Sequence, residues 1–171
     1  MVQNLRVTGT ELNSSTSNVS SEYTKTSPYK INNTGVWRDL TSGNSYDEAR
    51  MHNSGNTTNG VWYNYAATSA GTITGDSNTS TQVYDICPKG WRLPSNSEQS
   101  SIISYVSVFN PLTGGAYNGG GITNNDSGYW WSATSGGDPY RYFIFYNGST
   151  LASFYGGGRA SGHYIRCIRS S

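Results

Sequence analysis

The residues best equipped for chemistry are few. They are two cysteines, Cys87 and Cys167, two histidines, His52 and His163, and ten acids, of which only Asp126 and Asp138 follow Glu98. Nucleophilic catalysis needs a nucleophile, a base and an orienting acid within mutual reach. With His52 and His163 as the only histidines, no such set is convincing. Glycoside hydrolysis needs two facing carboxylates, yet Asp126 and Asp138 both lie in glycine-rich stretches. Calcium needs six to eight oxygen ligands, and the acids are not clustered. A lone histidine such as His163 is rarely a metal ligand. The sequence therefore assigns no catalytic residue, no metal ligand and no cofactor. The cysteine spacing fits neither close zinc ligation nor a C-x-x-C redox motif. One long-range disulfide is the simplest reading, and two buried free thiols the alternative. A bond would close a loop of about 80 residues, worth about 4–5 kcal/mol on the chain-entropy model, and would favour an oxidising setting.

The elements that must position any site follow from composition. Charged residues are 12% and the formal net charge is +1, so there is no electrostatic case for nucleic acid, anionic membrane or acidic partners. Aromatics reach 13%, which argues against a disordered chain. Large aliphatics are scarce, so Tyr and Trp must supply much of the core, each needing a partner for its OH or NH. Abundant Gly, Ser, Thr and Asn imply many turns and few long helices. No run of 18 apolar residues signals a membrane span, and no apolar leader follows Met1. These features suit a single α+β domain spanning 1–171.

Along the chain, Leu5 and Val7 suggest an opening strand, and residues 36–40 a brief one. Ser45 and Glu48 form a capping-box pattern that predicts a short helix over YDEARMH. Val61 to Ala67 is an aromatic run predicted to be a strand leading into a helix. Ser95 and Glu98 repeat the capping box, with Ile102, Ile103, Val106 and Phe109 on one helical face. This predicts the main helix over about 95–109, stopped by Asn110-Pro111. Residues 113–128 are expected to be a long glycine-rich loop. From Tyr129 the period becomes two. Tyr140, Tyr142, Ile144 and Tyr146 share one face of a strand, and Arg141, Phe143 and Phe145 the other. Asn147-Gly148 is a hairpin signal. Leu151 to Tyr155 should pair back, Gly156–Gly158 should break the pairing, and His163 to Ile168 should form a last strand. Trp62, Tyr63, Tyr65, Trp91, Trp130 and Trp131 read as core. Arg159 and Arg166 read as partners for carbonyls or for acids such as Asp85.

Several of these motifs together resemble one bacterial family. ICPKGWRLP before a capped helix, YWWSAT, the YRYFIFY strand, an isolated Arg159 and GHYIRCI resemble the Fibrobacter major paralogous domain. MVQNLR also resembles that family's opening, without the Trp that normally precedes the Met, which implies a start inside the full domain. The resemblance covers most of residues 1–6 and 60–169, and residues 7–59 match poorly. The resemblance implies a C-type-lectin-like fold with an irregular antiparallel sheet and many loops. It implies that a cysteine near the main helix bonds one in the last strand, which suits Cys87 and Cys167. It also implies a binding module on secreted, cell-surface or phage-associated proteins. Some relatives in this fold are variable proteins of diversity-generating retroelements. The calcium-coordinating strings of sugar-binding C-type lectins are missing, and so are the extra catalytic cysteines of formylglycine-generating enzymes.

Adenine mutagenesis of AAY asparagine codons can never yield Lys, Glu, Gln, Met or Trp, and no Lys, Glu, Gln or Met follows Gln99. Composition alone is the competing explanation. Residues reachable from Asn stand at Asp138, Arg141, Phe143, Phe145, Phe154, Tyr155, Gly156, Gly157, Ala160, Ser161 and His163, and these are the expected ligand-binding positions. Exposed Phe beside Arg would make an adaptable contact patch, and Tyr with Gly is a pairing that antibody loops also use. The expected partner is a protein, with a glycan as the alternative. A structural surface domain without a dedicated ligand is the competing class.

Overall fold

The computed structural model describes residues 3–7, 12–21, 37–46, 48–53, 60–73, 82–105, 109, 111–135 and 140–171. Its architecture is α+β, the described residues including the two α-helices named below and several small sheets. Strands β1 (Arg38–Asp39), β2 (Arg50–His52) and β3 (Trp62–Tyr63) form one sheet, with β1 parallel to β2 and β3 antiparallel to it. Helix α1 (Tyr65–Thr68) follows β3 directly, capped by Asn64, whose side chain accepts from the Ala67 amide. Strand β4 (Trp91–Arg92) leads into helix α2 (Asn96–Ile103) and pairs antiparallel with the last strand, β10 (Ile168–Arg169). Strands β5 (Ala116–Asn118) and β6 (Gly121–Thr123) form a hairpin. Strands β7 (Gly128–Ser135), β8 (Tyr140–Tyr146) and β9 (Leu151–Gly158) form an antiparallel sheet in that order.

Four expectations about these elements are corrected. At Ser45 the hydroxyl does accept from the Glu48 amide at 3.0 Å, but the chain continues into β2 instead of a helix. The α2 capping box is complete, yet the helix is interrupted by a turn at Ser104 and Tyr105; Phe109 is helical again, and residues 106–108 lie outside the described residues. The stretch 113–128 is not a plain loop, because Gly119 and Gly120 (φ 60° and 89°) make the tight turn of the β5–β6 hairpin. Two consecutive positive-φ residues are what a two-residue hairpin loop requires. Gly156–Gly158 do not end the pairing either. Strand β9 runs through Gly158, and only Gly156 is skipped between the Tyr142–Tyr155 and Arg141–Gly157 pairs. A glycine at a positive φ is well suited to such a bulge, and Gly156 has φ 125°. Among smaller differences, Leu5 contributes one backbone bond to Ile165 and not a strand, and His163–Ile168 is a strand only at its end.

The core has two parts. One gathers Tyr63, Tyr65, Ile86, Leu93, Trp131, Ile165 and the cysteines, and the other Leu40, Trp62, Phe109, Trp130, Ile144 and Tyr164. Three of the tryptophan N–H groups donate within the core: Trp62 to Gly115 O at 3.0 Å, Trp130 to Asn4 Oδ1 at 2.7 Å, and Trp131 to Tyr63 O at 2.7 Å. That is the condition for burying so many amphipathic rings. Tyr164 departs from it. Its buried OH has no hydrogen-bond partner among the described residues, and burial pushes its phenol pKa up.

Cys87 and Cys167 form a disulfide with Cα atoms 5.9 Å apart. Asp85 organises the chain beside it. Its carboxylate accepts from the Cys87 amide at 2.8 Å, the Leu93 amide at 3.0 Å and Asn18 Nδ2 at 3.3 Å. Burial raises its pKa, and these hydrogen bonds oppose the rise. Asp85→Ala would strand two backbone donors, so a loss of about 3 kcal/mol is expected in urea denaturation. Asp85→Asn, which keeps an acceptor, should lose less.

Candidate aromatic site

The segment Gly162–Tyr164 joins three sheets through isolated bridges to Tyr117, Tyr63 and Trp130. Six backbone hydrogen bonds carry these links, among them Tyr63 N to His163 O at 2.8 Å and Tyr164 N to Tyr129 O at 2.8 Å. Gly162 permits this close approach, since a Cβ there would lie 2.5 Å from Leu40 Cδ1 and 3.0 Å from the Cβ atoms of Trp62 and Tyr117. The knot sets His163 beneath the face of β7 and β8 that carries the odd-numbered residues.

On that face Tyr129 is in register with Phe145 and Trp131 with Phe143. The alternation of a strand sends Trp130 and Ile144 to the opposite face, where both are buried. Tyr129, Phe143 and Phe145 are all half-buried. Tyr129 lies 5.7 Å from Phe143 and 5.1 Å from Phe145, ring centre to ring centre, with interplanar angles of 38° and 49°. Its OH accepts a hydrogen bond from Asn124 Nδ2 at 2.9 Å. His163 stacks on Trp131 at 4.0 Å and meets Phe143 edge-on at 5.1 Å. The result is a three-ring patch on a floor of Trp131 and His163.

The expected display positions fare differently. Phe143 and Phe145 reach the surface partly, Phe143 packing against the larger core. Gly156 is exposed and Ser161 half-buried. His163 and Ala160 are corrected: both are interior, at 4% and 5% exposure, so neither is a surface contact. A period of two cannot place His163, because its segment Gly162–Tyr164 is fixed by bridges to three separate strands. Asp138 lies outside the described residues, as do the side chains of Arg141, Phe154 and Tyr155 and the burial of Gly157. Their backbones place Phe154 opposite Phe143 and Gly157 opposite Arg141. Tyr129, which is not among the expected contact positions, is part of the patch; its i, i+2 relation to Trp131 was the available signal.

Electrostatically the site is quiet. Burial lowers the His163 pKa to about 3, so the ring is neutral at physiological pH, and its Nδ1 has no hydrogen-bond partner among the described residues. Among the described residues no group of three or more His, Cys, Asp or Glu could hold a metal ion. No helix among them is long and apolar enough to cross a membrane. No family model, curated protein or solved structure matches the chain.

Proposed function

We propose that this protein is an extracellular recognition module with a C-type-lectin-like fold, and that it binds a protein ligand through Tyr129, Phe143 and Phe145 and the adjoining β8–β9 positions. The observation that carries the reading is the half-buried three-ring patch fixed on a buried floor. Rigid aromatic side chains supply contact area at low entropic cost, which is what interface anchors need. The disulfide suits an oxidising compartment. The tilt between the rings speaks against a flat stacking platform for sugar, so a protein partner is preferred over a glycan. The set of Asn-reachable residues supports variation by a retroelement at Arg141, Phe143, Phe145, Phe154 and Tyr155 within this frame.

A peptide-display selection on the immobilised protein tests the binding reading. Selected peptides are expected to bind at least tenfold more weakly to a Phe143→Ser/Phe145→Ser variant whose melting curve remains cooperative. Equal binding by that variant, or failure to enrich any peptide, would count against the site. Sequences of paralogues from the same genome test the variability claim separately. Substitutions should concentrate at the five positions just named, beside a template repeat and a reverse transcriptase gene.

A further inference from the structure

The opposite face of the same sheet carries a second feature, which the aromatic patch does not explain. Between α2, strands β7 and β8 and the start of β10 lies a cavity of about 300 Å³, lined by Gln99, Ile102, Phe109, Trp130, Ile144 and Arg166, among others. Tyr105, also on its wall, is 63% exposed, so the cavity reaches solvent. Interiors are normally packed with few voids larger than a water molecule, and a dry apolar cavity of about 150 Å³ already accepts benzene. Twice that volume accommodates a fused two-ring molecule.

Two polar groups restrict what would fit. Gln99 is fully buried; its Nε2 donates to Trp131 O at 2.9 Å, while its Oε1 accepts from no described group. A buried acceptor left without a donor costs about 1–3 kcal/mol, a cost that would be removed by a ligand donor toward which the Gln99 amide turns. The Arg166 guanidinium lies 4.3 Å from the Phe109 ring centre and 5.5 Å from that of Trp130, with Nε donating to Asn4 Oδ1 at 3.0 Å. A fixed cation in the wall disfavours amines.

We propose that this cavity is a binding site for an uncharged, mainly apolar molecule of about two fused rings that carries one N–H or O–H donor directed at Gln99 Oε1. The site is independent of the aromatic patch, and either can fail without the other.

Indole and benzofuran are suitable probes, having nearly the same shape but an N–H donor in one and an oxygen acceptor in the other. Titration followed by methyl and indole N–H NMR should show saturable indole binding, with shifts confined to Ile102, Ile144 and Trp130. Benzofuran should bind at least tenfold more weakly. Gln99→Leu should bring the two affinities together, and Ile102→Trp, which fills the cavity from the helix side, should abolish both. Absence of saturable indole binding, shifts centred elsewhere, or equal affinities in the unaltered protein would overturn the proposal. Should Ile102→Trp fail to fold, the shift map on the native protein decides alone.

Discussion

Acidification from pH 6.5 to 4.5 is expected to destabilise the protein by about 2 kcal/mol through His163 alone. The ring is buried, stacked on Trp131 and without an ion pair among the described residues, and burial lowers its pKa from 6.5 to about 3. The unfolded chain therefore takes up a proton near pH 6.5, whereas the folded one resists until about 3. Over that interval the unfolded state binds more protons, so stability falls as pH falls. Two other groups act in different windows. Glu98, held down to about 2 by Arg92 and the capping box, loses its contribution only as pH falls below 4.5. Asp85, raised by burial, works in the opposite sense above 3.8: its ionisation costs stability as pH rises. Urea midpoints measured at half-unit steps should slope downward between 6.5 and 4.5. His163→Phe preserves a ring against Trp131 and should flatten that slope. A variant with the native slope would show that another group is responsible. Because the folded ring stays neutral throughout this interval, ligand binding at the patch of Tyr129 and Phe143, which His163 floors, should persist until the protein unfolds.

How much was legible beforehand depended on whether the information was local. The Ser95–Glu98 capping box is four residues long and formed as expected. So did the alternation that buries Trp130 and Ile144, since register and burial follow from a period of two. The Asn147 turn also formed, with Asn147 Oδ1 accepting from the Ser149 and Thr150 amides at 3.1 and 2.8 Å. What failed was of two kinds. At Ser45 a correct local cap was overridden, because Arg50 and Met51 pair with β1 and β3. At His163 the deciding contacts, to Tyr63 and Trp131, lie far away in sequence, and no periodicity reports them. The apolar cavity was invisible for the same reason: Gln99 reads as an ordinary polar helix residue until the tertiary structure buries it. The aromatic patch was half legible, through Phe143 and Phe145, while Tyr129 became part of it only once β7 was placed beside β8.

Removing the Cys87–Cys167 disulfide is expected to cost ~4.5 kcal/mol, the chain-entropy value for a loop of this size, in which the two cysteines are 80 residues apart. The local structure gives reason for a loss near that value. Strand β10 is held to β4 by two residue pairs, and beyond it Ser170 N bonds Gly90 O at 2.8 Å. Those few bonds are too little to fix a terminal strand whose Ile168, with Arg166 just before it, walls the cavity. On the other side Cys87 is already immobilised, by Asp85 through its amide and by Asn18 N through its carbonyl at 2.7 Å. The cross-link therefore transmits the order around Asp85 to the C-terminal segment. Urea denaturation with and without reductant, and of Cys87→Ala/Cys167→Ala, should show the drop together with a larger m-value, since the uncrosslinked chain exposes more surface on unfolding. Unchanged stability on full reduction would remove the argument. A further consequence separates this bond from a merely global staple. If it orders the cavity wall, reduction should weaken indole binding under conditions where far-ultraviolet dichroism is still native, whereas peptide binding at Phe143 and Phe145, which rests on β7, β8 and His163, should persist.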